Sequence, residues 1–580
     1  MEDGRTGLHV AGMLGRAGSV RELIEAGAEV GGKDDEGKTM VHWAAEYGHV
    51  EVVQNVVRTC GEEVLREKDN DGYTCAHWAS AGGHLEVARY AVETCGKEAL
   101  REKTNDGWTC AHLASMGGHM EMLRYVGETC GKEVLREKDN NGQTCSHLAS
   151  VGGHIEVVRY LVETCGEEVL REKTNDGRTS AHAASQGGRL EVVRYAVETC
   201  GEEVLREKDN DGWTCAQFAS ERGDLGVVRY VGERCGKEVL REKTYDGYTC
   251  AHLASTGGHI EVVRYVVETC GVELRDKTNN GYTCAHLASQ RGYLEVVRYS
   301  EKTCGEEEED NNGKTCVHWA SEGGDLEVVR YVAETCGKEL LREKTEDGRT
   351  CAHLASERGH LEVVRYVAET CGEELLREKD VVRYSCAHWA SAFGHLEVVR
   401  YAVETCGEEV LREKTNSGRT CAHLAIEKGH IEVVRYVRET CGKELLREKT
   451  EDGMTCARLA SEGGHLEVVL YAVETCGEEV LREKTNDGKT CAHLASEGGH
   501  LEVVRYVAET CGEEVLREKT KFGRTCAHLA SEGGHLEVVR YVAETCGEEL
   551  LREKDKHGST CFTLTYNSDV KDYLRGLGID

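Results

Sequence analysis

The stretch "NDGYTCAHWASAGGHLEVARYAVETCGKEALREKT", Asn70 to Thr104, decides the reading of this chain, because near copies of it fill most of the 580 residues. Aligned on the Gly-x-Thr step, units begin near Asp3, Asp35, Asn70, Asn105, Asn140, Asn175, Asn210, Tyr245 and Asn279. They continue near Asn311, Glu346, Val381, Asn416, Glu451, Asn486, Lys521 and Lys556, which makes seventeen units, mostly 35 residues long. Cys491 to Glu514 and Cys526 to Glu549 are identical. A period of this length signals a stacked array rather than separate globules.

Each unit reads as turn, helix, turn, helix, loop. Asp71-Gly72 supplies the turn, since glycine tolerates positive φ, and Thr74 is placed to cap a short helix. That helix carries the small residues Ala76, Ala79 and Ser80 and stops at Gly82-Gly83. A second helix starts near Leu85, with Leu85, Val87, Ala88, Ala91 and Val92 at the spacing of one buried face. Gly96 then releases a charged loop, "KEALREKT". Helices this short are marginal alone, so burial must come from neighbouring units.

The pattern resembles the ankyrin repeat. The family's D-G-x-T-P-L-H-x-A signature corresponds to "DGYTCAHWA" and "DGRTCAHLA" here, and its G-H-L-E-V-V run to "GGHLEVVRY". The likeness spans essentially the whole chain and implies an all-α solenoid of stacked helix-turn-helix repeats, with turn or hairpin fingertips and a curved superhelix. Sixteen steps of about 10 Å would trace roughly 160 Å. Two departures stand out: cysteine replaces the family's proline, and most units carry about two extra residues after the second helix. The expected organisation is a capping repeat over 1–34, fifteen repeats over 35–555 and a second cap over 556–580. The last unit supports this by breaking the pattern with Thr563, Thr565, Asn567 and Lys571, since terminal repeats need a polar outer face.

Acidic residues number 105 against 72 basic ones, a net charge of -33, which disfavours binding to nucleic acid or anionic lipid. Proline is absent, so Pro-rich linkers are excluded. No basic-then-apolar leader opens the chain, and no stretch approaches the about 20 apolar residues of a membrane helix. The expectation is a soluble cytoplasmic or nuclear monomer without membrane insertion.

The cysteines and histidines invite a metal or redox reading. One unit offers Cys75, His77, His84 and Cys95, but Cys75 and His84 sit at opposite ends of the first helix, and Cys75 and His77 point to different sides. No metal and no cofactor are expected. All 29 cysteines occupy two positions, T-C-A-H in fourteen units and T-C-G in fifteen. Pairing each T-C-G cysteine with the next unit's T-C-A-H cysteine, as Cys60 with Cys75, strands only Cys165, opposite Ser180. Such a ladder would close loops of about 15 residues, each worth at most about 3 kcal/mol. Packed thiols are the expectation, because buried cysteine behaves as a small hydrophobe and cytosolic thiols stay reduced. By the resemblance, His77 and its equivalents hydrogen-bond between units.

"GKDDEGKT", Gly32 to Thr39, satisfies the phosphate-loop expression G-x-x-x-x-G-K-T. No apolar strand precedes it, and Asp34, Asp35 and Glu36 would repel phosphate, so it is read as an ordinary turn. No catalytic constellation occurs elsewhere, and no enzyme is expected.

The copies disagree at two places: the residue between Gly and Thr in the turn, and the residues after Ala-Ser. Early units carry Tyr73, Trp108, Gln143, Arg178, Trp213, Tyr248 and Tyr282 at the turn; later ones carry Lys314, Arg349, Arg419, Met454, Lys489 and Arg524. The later ones stand beside Glu322, Glu357, Glu427, Glu462, Glu497 and Glu532. In ankyrin-like arrays these positions line a concave groove, which implies a non-enzymatic scaffold binding a partner protein there; aromatics and arginine are enriched at binding hot spots. Neutral drift at exposed positions is the plain alternative. Two irregularities interrupt the array: an acidic run, Glu306 to Asp310, and the twelfth unit's turn "VVRYS", Val381 to Ser385, which lacks glycine. Tyr384, Trp389 and Phe393 are read as an aromatic anchor there. Alternative readings are a mechanical spacer or an adaptor portion of a larger protein.

Overall fold

In the computed structural model, described over residues 3–271, 274–304 and 308–580, the regular secondary structure is helical throughout. The chain divides into two compact units, Met1–Ala288 with Glu295–Cys304 and Ser289–Leu294 with Gly305–Asp580, each built from the same repeat.

The third repeat shows the construction. Its turn is closed by Gly72 N–H to Asp69 O (3.1 Å) and Asp69 N–H to Tyr73 O (3.1 Å). The Asp69 carboxylate braces it, accepting Asp71 N–H at 3.1 Å and Tyr73 N–H at 2.8 Å. Gly72 has φ +83°, and a Cβ there would lie 2.9 Å from Asn105 N of the next turn. That closeness is used: Asn105 donates its N–H to Asp71 O at 2.9 Å and its side-chain amide to Asn70 O at 3.0 Å. Turns are therefore stitched to turns by single residues, and no strand forms among the described residues.

The first helix runs Cys75–Ala81, capped by Thr74, and the second runs Leu85–Cys95, ending at Gly96 with φ +82°. Ala76, Ala79 and Ser80 are buried where first helices of adjacent repeats pack side by side. On the second helix Val87, Ala88 and Ala91 are fully buried, while Leu85 and Val92 are only half-buried. The charged loop expected after Gly96 is instead a short 3-10 helix, Lys97–Leu100, whose Leu100 is buried. In the next repeat Lys132–Arg136 buries both Val134 and Leu135. The extra residues thus feed the core.

Two histidines join the third repeat to its neighbours. His77 Nδ1 lies 3.1 Å from Thr74 N–H and 2.9 Å from Thr74 Oγ1, closing the helix start, while its Nε2 donates to Glu102 O (3.0 Å) ahead of the next turn. His84 Nε2 donates backwards to Glu46 O (2.8 Å), at the end of the preceding repeat's first helix. That carbonyl is one of the orphans a helix end leaves unsatisfied. The expected inter-repeat role of His77 is therefore what the geometry gives. Gln217 and Arg458 are chemical variants at the register of His77. Gln217 accepts Thr214 N–H at 2.7 Å and donates to Glu242 O at 2.9 Å, performing both bonds with an amide. Arg458, fully buried, bonds Thr455 Oγ1 at 3.1 Å and the Glu483 carboxylate at 2.9 Å.

The second helices carry a further ladder that the sequence reading missed. Arg89 lies over the Tyr125 ring of the next repeat (4.8 Å), Arg159 over Tyr195 (5.1 Å) and Arg400 over Tyr436 (5.1 Å), and the pairing reaches Arg540 over Tyr573 (5.4 Å). The recurring Arg-Tyr dipeptide of "LEVVRY" was the available signal. At the C-terminal unit, Asn567 caps the last helix, Ser568–Gly576, by accepting Asp569 N–H and Val570 N–H at 2.9 and 3.2 Å. Thr565 is buried, not part of a polar outer face.

Burial holds the His77, His252 and His388 imidazoles down to about 4, below their ordinary 6.5. A lowered histidine value means the neutral form stabilises the fold: the contribution is intact above pH about 6.5 and is lost as the pH falls towards 4. Replacing these three histidines by glutamine, as Gln217 already does naturally, leaves cooperative unfolding at pH 7 in place. It removes up to about 3 kcal/mol per histidine from the acid-induced loss of stability. Urea midpoints measured across that pH range check it; an unchanged pH slope contradicts it.

Candidate interaction surface

The turn residues singled out by their variability, Tyr73, Trp108, Arg178, Trp213, Tyr248, Tyr282, Lys314, Arg349, Tyr384, Arg419, Lys489 and Arg524, are all half-buried. They fold back over the helices. Tyr73 packs on Trp78 with ring centroids 4.9 Å apart, and Trp213 on Phe218 at 5.0 Å. Tyr248 meets His252 edge-on at 6.1 Å. Trp108 donates its indole N–H to Asp139 of the next turn at 2.9 Å. Arg178 does the same with its guanidinium, 3.3 Å from the buried Asp209 carboxylate and 4.8 Å from the Phe218 ring.

The basic turn residues of the later repeats form ion pairs with the glutamate eight residues on. Lys314–Glu322, Arg419–Glu427, Lys489–Glu497 and Arg524–Glu532 are each 2.6 Å apart, and Arg349–Glu357 is 2.8 Å. This stretch is therefore a row of internally neutralised pairs. Met454 interrupts it, and the Glu462 carboxyl is held above its usual range, by burial first and then by Glu497 and Glu427.

The twelfth repeat replaces this pattern with rings. Tyr384 and Trp389 have centroids 5.0 Å apart, and Trp389 and Phe393 stack at 6.2 Å. The Arg349 guanidinium of the preceding repeat covers Trp389 at 3.9 Å, and the Trp389 indole N–H donates to Asp380 at 3.0 Å. Ala392 stands where neighbouring repeats place the glutamate of the ion pair. Phe393 is 46% exposed, with Val381 and Val382 also exposed in the turn. Arg383 adopts φ +66° where other repeats have glycine, a conformation costing a non-glycine residue about 1–2 kcal/mol. The three rings read from the sequence thus form one continuous apolar platform. Of the acidic run, Glu306 and Glu307 lie outside the described residues; Asp310 braces the next turn, accepting Asn312 N–H and Lys314 N–H at 2.8 and 2.9 Å.

The His77 ring and the groups of the phosphate-loop-like stretch are engaged within the fold. Both ring nitrogens of His77 are engaged, leaving neither for a metal. In "GKDDEGKT" the Asp34 carboxylate accepts Glu36 N–H, Lys38 N–H and the Trp43 indole at 3.1, 2.9 and 2.9 Å. Lys38 pairs with Glu46 at 3.2 Å and sits 4.2 and 3.7 Å from the Trp43 and Trp78 rings. It is a turn, as expected.

Cys60, Cys75, Cys95, Cys110 and Cys130 carry free thiols. The geometry also groups them differently from the chain-order pairing considered above. Cys110 Sγ lies 4.0 Å from Ala99 O and Cys130 Sγ 3.5 Å from Lys97 O, on the same 3-10 helix. Cys95 instead meets Glu62 O at 4.0 Å, one repeat earlier. The two thiols of one repeat therefore share an element, rather than Cys95 and Cys110. Burial pushes the T-C-A-H thiols Cys110, Cys215 and Cys491 up to about 12, which makes them poor nucleophiles. Brief alkylation of the native chain without reductant accordingly labels exposed Cys60 and Cys336 first. The T-C-A-H thiols label only after denaturation. Peptide mass spectrometry checks it, and native labelling of Cys110 as fast as Cys60 contradicts it.

Among the described residues no helix is long and apolar enough to cross a membrane. A family profile described as ankyrin repeats in three copies matches residues 8–100, 56–134, 95–173, 233–299, 301–378, 369–448 and 438–519. A second, described as ankyrin repeats in many copies, matches residues 181–231. No curated protein matches the chain.

Proposed function

The chain belongs to the ankyrin-repeat family, whose members are generally protein–protein interaction modules, and from that premise we propose that it is a non-enzymatic scaffold. Its partner is a protein, bound along the face of turns and first helices, with Tyr384, Trp389 and Phe393 as the anchor. The single observation that carries this reading is the apolar platform in the twelfth repeat. It breaks the ion-pair pattern of its neighbours, leaves a large ring 46% exposed and tolerates a strained Arg383. Strained backbone and exposed aromatics gather where a surface is used rather than where it is only stable. The other turn residues shape the surface, and Trp108, Arg178 and the basic turn residues are committed to neighbouring carboxylates. In the same reading 1–34 and 556–580 act as caps, the chain works as a cytoplasmic or nuclear monomer, and its net charge of -33 turns it away from nucleic acid.

The test uses residues other repeats already carry. The triple variant Tyr384→Arg, Trp389→Leu, Phe393→Gly converts the platform into an ordinary repeat and keeps the fold. Quantitative capture from native lysate, followed by affinity measurement on the captured protein, is expected to show at least about tenfold weaker binding, the scale of a hot-spot loss. Equal binding by two equally folded chains contradicts the anchor and favours a spacer.

A further inference from the structure

The Arg–Tyr ladder on the second helices fails in an informative way at the N-terminal end. Arg21 occupies the register of Arg89, but the residue it faces in the next repeat is Asn55, at the register of Tyr90. No ring is there for the guanidinium to cover. The vacated space is a surface cavity of about 190 Å³ lined by Val20, Arg21, Ile24, Asn55, Arg58 and Thr59. Arg58 is a second departure, standing where later repeats carry the glutamate of "VET", such as Glu93.

The unspent polar atoms around this cavity are donors. Among the described residues Arg21 makes no ion pair within 4.0 Å, with Glu25 on its own helix or with any other carboxylate. Arg58 reaches only Asn55 Oδ1, at 3.5 Å. Asn55 Nδ2 is buried without a hydrogen-bond partner, and the Thr59 hydroxyl is already spent on Asn55 O at 2.9 Å. In a chain with a net charge of -33, two exposed guanidiniums beside an unsatisfied amide donor form a local site for an acceptor-rich anion. The wall is apolar: Val20 is fully buried and Ile24 half-buried. At about 190 Å³ the cavity falls below the roughly 300 Å³ where drug-sized pockets begin, so it suits a single ring.

We propose that this cavity binds an aromatic ring carrying a carboxylate or a phosphate. The ring takes the place that tyrosine holds under arginine in the later repeats, and the anion meets Arg21, Arg58 and the Asn55 amide. A guanidinium suits both halves of such a ligand, since it forks onto carboxylate or phosphate and stacks on aromatic faces. The site is built on second helices and does not depend on the aromatic platform.

The experiment titrates the full chain calorimetrically with phenyl phosphate, 3-phenylpropionate and inorganic phosphate. Binding of at least one aryl anion is expected, with inorganic phosphate at least tenfold weaker; which aryl anion binds better identifies the preferred charge. Asn55→Tyr refills the cavity with the residue later repeats use, and Arg58→Glu restores their charge. Each is expected to weaken aryl-anion binding at least tenfold while the thermal unfolding midpoint stays the same or rises. The proposal is overturned if neither aryl anion binds at millimolar concentration, if inorganic phosphate binds as well as both, or if Asn55→Tyr binds like the parent.

Discussion

Helices of seven and eleven residues, the lengths of the pair in the third repeat, cannot persist alone in water. The structure therefore depends on what joins one repeat to the next, and at its centre is a buried neutral imidazole. His77 spends one ring nitrogen on the start of its own helix and the other on the backbone of the following repeat. Local capping and long-range attachment are thus the same side chain, so a helix start cannot loosen without loosening the interface. Nδ1 accepts Thr74 N–H only while it carries no proton, and burial enforces that neutral state by disfavouring the charged ring. Gln217 supplies the control within the molecule, since an amide of similar reach makes the same two bonds without a titratable proton.

Around that attachment the repeat carries ladders on its other faces: turn asparagines reaching to the previous turn, basic turn residues paired with glutamate, and arginines over tyrosines. Individually these exposed contacts contribute about 0.5–1 kcal/mol or less. Their regularity has another consequence. Where a ladder loses one partner or both, the repeat departs from its neighbours. The twelfth repeat loses the ion pair and exposes rings; the first repeat keeps its arginine and loses the ring beneath it.

Much of this was legible in the amino-acid sequence. The 35-residue period fixes the array, and Thr74, Gly72, Gly83 and Gly96 mark the helix limits seen in the structure. Tyr384, Trp389 and Phe393 were singled out because the twelfth repeat's turn lacks glycine and Trp389 and Phe393 stand four apart. What was hidden depends on registers between repeats. A charged run concealed the 3-10 helix, because its two apolar residues are too few to show a period. The Arg–Tyr ladder links residues a full repeat apart, and the empty place beneath Arg21 is visible only once that partnership is known. Side-chain direction was equally hidden: the turn residues read as projecting tips instead lie back on their neighbours, and the basic ones close onto glutamates eight positions on.

Neutral, Nε2-protonated histidines hold neighbouring repeats together. Nitrogen-15 NMR of the imidazoles in the native chain, titrated with pH, tests it most directly. The ring nitrogens of His77, His252 and His388 are expected to report Nε2–H with Nδ1 unprotonated, and this signature persists down to pH about 4, disappearing together with the folded backbone. Titration of these rings near pH 6.5 while the repeats stay folded would contradict it.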